Sequence, residues 1–253
     1  WAVGSPGSFV LHSPDGGQSW QLQNTGQSLP LHSITFIDQQ HGWAVGALGT
    51  ILHTSDGGRT WRRQRSGGTR TALLCIVADE RDIPLEMLAR LGSDEGYLCV
   101  THVIGRRDVI DPSDKTSFQE DRTIDAAIAA GATSATQSWQ FPLRPRDLQL
   151  NQDNVVAHWN ETHDGRAMPI LHRDLVRLIR TWRPEVIVTH GEHAKAAEAE
   201  IVGQAVLSAV DAAADTTLYP EQLTHADLRP WQAKKVFTIC SGDQAGDVSV
   251  SAA

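Results

Sequence analysis

The chain has 253 residues, 40% of them hydrophobic, and a formal net charge of −8, which is enough for one large or two ordinary packed domains and excludes a disordered tail. Residues 1–70 carry Arg59, Arg62, Arg63, Arg65 and Arg70 against Asp15, Asp38 and Asp56, so 17 of the 22 basic and 27 of the 30 acidic residues fall in the remainder. An acidic remainder without a basic stripe argues against a nucleic-acid partner, and no run of about 18 apolar residues is present to span a membrane.

The chain opens on Trp1 rather than Met, so no signal peptide can be read, and the sequence is expected to be a fragment of a longer protein. Its first feature is a repeat: WAVGSPGSFVLHSPDGGQSWQLQ at 1–23 returns as WAVGALGTILHTSDGGRTWRRQ at 43–64, a period of 41 to 42 residues. In each copy a Trp-Ala-Val-Gly run and a run ending in Leu-His read as two short strands, joined to a further strand by an Asp-Gly-Gly turn. Asp15 and Asp56 are expected to accept bonds from the backbone ahead of them. Gly17 and Gly58 supply positive φ, and Trp20 and Trp61 fold back over the hairpin, so the device is structural. Residues 31–37 add another strand, giving about four per repeat.

These segments resemble the BNR/Asp-box repeats of sialidase-type β-propellers, and more closely the repeats of photosystem II assembly-factor-type propellers, over about the first 64 residues. The resemblance implies about two blades with a structural or docking role and says nothing of a shared activity. Two blades cannot close a propeller, which takes roughly four to eight, so further blades are expected upstream. Gly67-Gly68-Thr69 marks the junction, giving domains at 1–68 and 69–245 with a tail at 246–253.

The second part alternates. Thr71–Ala78 is a continuous apolar run, as in a strand buried on both faces, and 85–91 reads as a helix. A strand over 97–104 and a helix over 121–130 come next. The stretch 139–143 reads as a turn. Leu171, Leu175, Leu178 and Ile179 form a helical stripe that Trp182-Arg183-Pro184 ends. A strand over 185–190, a helix over 201–214 and a strand over 235–240 complete a predicted α/β Rossmann-like fold with a mainly parallel sheet. Cys75, Cys99 and Cys240 each lie in an apolar stretch without a CxxC partner and are expected to be buried thiols. In such sheets ligands bind beyond the carboxyl ends of the strands, where Asp79-Glu80-Arg81-Asp82 and His190-Gly191-Glu192-His193 are expected. GxxxxGK[ST], GxGxxG and GxSxG are absent.

Over about 72–240 this order is similar to the PIG-L/LmbE-like family of zinc-dependent N-deacetylases. The matching features are strand 1 ending in Val-Ala plus acidic residues, Arg122-Thr-Ile-Asp125 followed by Ala-Gly131-Ala132, and Trp182-Arg-Pro-Glu-Val-Ile-Val-Thr-His190. Against that family's Ala-His-Pro-Asp-Asp-Glu motif the chain has Ala78-Asp79-Glu80-Arg81-Asp82-Ile83. Asp79 stands where a zinc-binding His would be, Asp82 keeps a ligand-type carboxylate, and Arg81 takes the place of the general base, although a guanidinium cannot accept a proton. The family's His-Pro-Asp-His falls on Ala196-Ala197-Glu198-Ala199, without either histidine.

A hydrolytic zinc site needs about three protein ligands and a base. Here the ligands would be Asp79, Asp82 and His190 or His193, and the base Glu80 or Glu192. The plainer alternative is an Asp79–Arg81–Asp82 ion-pair cluster beside solvated loop histidines, with His158, His163 and His172 given no role. Trp139, Trp159 and Trp182 are expected to anchor the core. The resemblance therefore implies a degenerate deacetylase-fold domain, a pseudoenzyme that binds a protein partner or carbohydrate-like ligand beside the propeller. The alternative is an active metal-dependent N-deacetylase acting on N-acetylglucosamine-type substrates. The compartment is not legible.

Overall fold

The computed structural model describes residues 1–65, 68, 70–107, 119–143, 151–192, 194 and 196–239. Gly67, Thr69, His193, Cys240, the side chain of Trp139 and the tail at 246–253 lie outside the described set. The chain forms two compact units, one of Trp1–Arg70, Arg177–Arg183 and Ala213–Trp231, the other of Thr71–Val176, Pro184–Ala212 and Gln232–Ala253.

In the first unit, β1 (Phe9–His12) and β2 (Gln21–Asn24) pair as an antiparallel hairpin. A four-stranded antiparallel meander follows, of β3 (Leu31–Phe36), β4 (Gly42–Gly46), β5 (Thr50–Thr54) and β6 (Arg62–Arg65), adjacent in that order. Alternation along β5 buries Thr50, Leu52 and Thr54 and leaves Ile51 and His53 half-covered, the two-residue period of a strand with one face packed. Val10, Leu31, Ala44 and Leu52 form its core, with Val3, Ile34 and Trp61 packed against them.

Both Asp-Gly-Gly turns are built alike. Asp15 accepts from the Ser19 N–H at 2.8 Å and the Ser19 hydroxyl at 2.6 Å, and Asp56 from the Thr60 N–H at 2.9 Å and hydroxyl at 2.6 Å. The paired glycines 16, 17, 57 and 58 all hold φ between +69° and +98°, a region that a Cβ disfavours. Trp61 packs on the core, whereas Trp20 is half exposed. At equivalent positions of the repeat, Trp1 stacks on His12 at 4.0 Å and Trp43 tilts over His53 at 4.8 Å. Trp1 also stacks on Phe36.

Arg180 organises the rest of this unit. Fully buried, it donates to the carbonyls of Ala213 (3.1 Å), Asp215 (2.7 Å), Leu218 (3.0 Å) and Tyr219 (3.3 Å), and to Gln222 Oε1 (3.2 Å). Burial of a guanidinium is tolerable because its donors are met in this way.

The second unit is an α/β Rossmann-like domain. Its strands β7 (Leu73–Val77), β8 (Cys99–Arg107), β9 (Ser134–Leu143), β10 (Val186–His190) and β11 (Lys235–Ile239) form one sheet, order β11-β10-β7-β8-β9, with every pairing parallel. The helices are α1 (Leu85–Leu88), which widens into a π turn at Ala89–Asp94, α2 (Gln119–Ala129), α3 (Gln152–Thr162), α4 (Ala167–Trp182), whose residues from Arg177 belong to the first unit, and α5 (Ala197–Ala214), whose last two residues do likewise. All five residues of β7 are buried. Leu73, Cys75, Leu88, Cys99, Ala127, Ala132 and Val188 share one core cluster.

Two sequence expectations are corrected. The helix read over 85–91 is regular only to Leu88. The turn read over 139–143 is part of strand β9, which runs from Ser134 to Leu143. Pro142 fits there because β9 is an edge strand whose register with β8 shifts between Val103 and Gly105, and proline is accepted at edges and irregularities, where a missing donor is harmless.

The chain lays β8 and β9 on one side of β7 and then places β10 and β11 on the other. The reversal falls between β7 and β10, and it is beyond the carboxyl ends of strands at such a point that open α/β sheets bind ligands.

The hydrogen bonds from Ser19 and Thr60 hold the Asp15 and Asp56 carboxyls down at about 2, from an ordinary 3.8. A depressed folded pKa contributes stability that is present above the unfolded pKa and is lost as pH falls through the folded one. The thermal stability of the chain is therefore expected to fall between about pH 4 and pH 2, and an Asp15→Asn/Asp56→Asn double variant should show a shallower decline across that window.

Candidate functional site

The crevice is lined by the segment after β7 and the segment after β10. Asp79 caps the short 3₁₀ turn Glu80–Asp82, its carboxylate accepting from the Arg81 N–H at 2.9 Å. The Arg81 guanidinium returns to the same carboxylate at 3.3 Å through both Nε and Nη2. Asp79 is buried and Arg81 exposed, so the turn folds its one cation over its innermost anion. Such a fork-on-carboxylate pair fixes the orientation of both groups.

His190, at the end of β10, is also buried. Its Nε2 accepts the backbone N–H of Ala78 at 2.9 Å, which assigns the neutral ring its proton at Nδ1. Asp82 Oδ2 lies 3.9 Å from the same Nε2. Gly203 of α5 sits directly against the His190 carbonyl, so closely that a Cβ there would overlap it; the glycine lets the helix approach the strand end. Glu80 is half-buried, Glu192 is exposed on the turn after Gly191, and Ala197–Ala199 form the opening turn of α5.

Thus Asp82 and His190 come together, Asp79 is turned to Arg81, and His193 lies outside the described residues. A zinc ligand must offer a free lone pair at about 2 Å. As placed, the Nε2 lone pair of His190 is taken by an amide hydrogen, and the Asp79 carboxylate is paired with the Arg81 guanidinium. Among the described residues no group of three or more His, Cys, Asp or Glu side chains could hold a metal ion.

Two features escape a reading of the sequence. The Ala78 amide carries no side-chain signal at all. His102 of β8 bonds Thr136 Oγ1 through Nδ1 at 2.7 Å and Ser138 Oγ through Nε2 at 3.0 Å. The only trace of this in the sequence is that Thr136 and Ser138 stand two apart and therefore share a face of β9. Elsewhere, His163 Nε2 is 2.8 Å from the Gln140 carbonyl, Trp159 Nε1 donates to the Pro142 carbonyl at 3.0 Å, and Trp159 and Trp182 are core residues.

Cys75 and Cys99 are both buried. Burial, then the neighbouring Cys99, pushes the Cys75 thiol far above its usual range, and burial raises Cys99 to about 11. A protonated buried thiol is a poor nucleophile.

No protein-family model and no curated protein matches the chain. Solved structures similar to it include a conserved protein from Thermus thermophilus, at 15% identity and TM-score 0.49, covering 69% of each chain. Another is an N,N′-diacetylchitobiose deacetylase from Pyrococcus horikoshii in complex with an inhibitor, at 14% identity and TM-score 0.46, covering 64% of this chain and 57% of that one. A third is the 4-carboxy-2-hydroxymuconate hydratase of Pseudomonas putida, at 15% and 0.44, covering 67% and 65%. Among the described residues no helix is long and apolar enough to cross a membrane.

Removal of the His190 ring would leave the Ala78 N–H buried without its partner, so His190→Ala is expected to lower stability by about 1–3 kcal/mol in urea unfolding. Peptide mapping after iodoacetamide treatment at about pH 8 should find Cys75 and Cys99 unmodified in the folded protein and modified in denaturant.

Proposed function

We propose that the α/β unit is a degenerate PIG-L/LmbE-like deacetylase-fold domain that binds a ligand or partner at the crevice without hydrolysing it, and that the N-terminal repeats are propeller blades serving as a docking platform. The observation that carries this reading is the double engagement of the would-be ligands: Asp79 by Arg81, and His190 Nε2 by the Ala78 amide. In the resemblance to the family, Arg81 falls where the general base would stand, and a guanidinium, charged at every accessible pH, cannot take a proton from water.

The ligand class that follows from the family resemblance is a carbohydrate carrying N-acetyl groups, or a protein bearing one. A half-buried carboxylate, Asp82, beside the buried imidazole of His190 gives such a ligand hydrogen-bonding groups of defined orientation. The same proximity favours the second reading, an active metal-dependent N-deacetylase, in which the His190 ring would have to release the Ala78 amide before it could serve as a ligand.

Metal analysis and turnover separate the two. The purified chain is expected to retain less than about 0.1 equivalent of zinc after dialysis against zinc-free buffer, and to release no chelator-sensitive acetate from N-acetylglucosamine oligomers. Stoichiometric zinc together with acetate release that Asp82→Ala abolishes would establish the hydrolase and remove the binding-module reading. Titration of the oligomers by calorimetry tests the ligand class directly, with Asp82→Ala expected to weaken binding.

A further inference from the structure

The first unit holds a cavity of about 310 Å³ whose lining residues all belong to that unit. Among the described residues its walls bring together Arg63 of β6, Arg183 just after α4, and Arg229, with one carboxylate from Asp227 and the buried side chains of Gln27 and Thr50. These arginines are distant in sequence, so their convergence is a property of the fold.

We propose that this cavity is a binding site for a phosphate monoester. Three guanidinium groups against one carboxylate leave a surplus of about two positive charges, which matches the roughly −1.5 to −2 carried by a phosphate monoester near neutrality. Guanidinium forks are suited to paired phosphate oxygens. The volume lies at the lower end of the range of small-molecule sites, about 300–1,000 Å³.

Three further observations agree with a built site. Gln27 is fully committed to the wall: its Nε2 donates to the carbonyls of Gly7 and Leu29 at 3.1 and 3.0 Å, and its Oε1 accepts the Leu29 N–H at 2.9 Å. Arg183 and Asp227 both adopt left-handed backbone, with φ of 50° and 51°, a conformation that non-glycine residues hold where the surrounding structure imposes it. Burial, and then the charges of Arg229, Arg63 and Arg70, lowers the Arg183 pKa.

The test is calorimetric titration of the full 253-residue chain with inorganic phosphate, at an ionic strength held constant with sodium chloride. Saturable single-site binding is expected. Arg229 and Arg63 are exposed, so Arg229→Gln and Arg63→Gln should keep the unfolding midpoint of the parent, and each should weaken phosphate by roughly tenfold or more. Asp227→Asn should strengthen it several-fold, since asparagine tolerates the left-handed backbone while the repelling carboxylate is gone. Absence of saturable binding in the parent chain overturns the proposal. So does phosphate affinity that none of the three substitutions changes, or succinate binding as tightly as phosphate.

Discussion

The burial of β7 on both faces is the constraint from which most of the second unit follows. Leu73–Val77 exposes none of its five residues and pairs in parallel with β8 on one edge and β10 on the other. A parallel neighbour cannot be reached by a tight turn, so each pairing requires a crossover, and the crossovers place helices against the faces that make β7 apolar. Because the chain leaves β7 in one direction and returns on its other side, the two segments that leave the strands' carboxyl ends there face one crevice. The Asp79–Asp82 turn and His190 meet because the sheet must cover its central strand.

At that meeting point the electrostatics have been settled internally. The Asp79 carboxylate after β7 is engaged by the arginine of its own turn, and the His190 imidazole at the end of β10 by the Ala78 amide. Each contact is local or between adjacent strands, and together they give the crevice fixed walls.

The sequence exposed some of this and hid the rest for identifiable reasons. The Asp-Gly-Gly turns were legible because their chemistry is confined to a few consecutive residues and occurs twice. The continuous apolar runs at β7 and β10 were legible because burial on both faces leaves no alternation to misread. β9 was not, since Pro142 resembles a strand breaker until the strand is known to lie at an edge. The His190–Ala78 bond was invisible, because a backbone amide has no letter, and so was the meeting of Arg63, Arg183 and Arg229. In the sequence Arg183 is part of a helix stop; only the fold gives it arginine neighbours.

The manner in which Arg180 is held bears on how this region can vary. Four of its acceptors are main-chain carbonyls, from Ala213, Asp215, Leu218 and Tyr219, and every amino acid supplies a carbonyl. The path of residues 213–219 is thus held in part by a side chain borne elsewhere, beside the local bonds that the Asp215 carboxylate accepts from the Thr217 N–H and hydroxyl. Drift at the positions that contribute only a carbonyl, such as Ala213 and Leu218, is compatible with an unchanged loop, whereas the single arginine is not interchangeable even with lysine, whose ammonium offers three donors from one point and cannot reach acceptors spread around a planar fork.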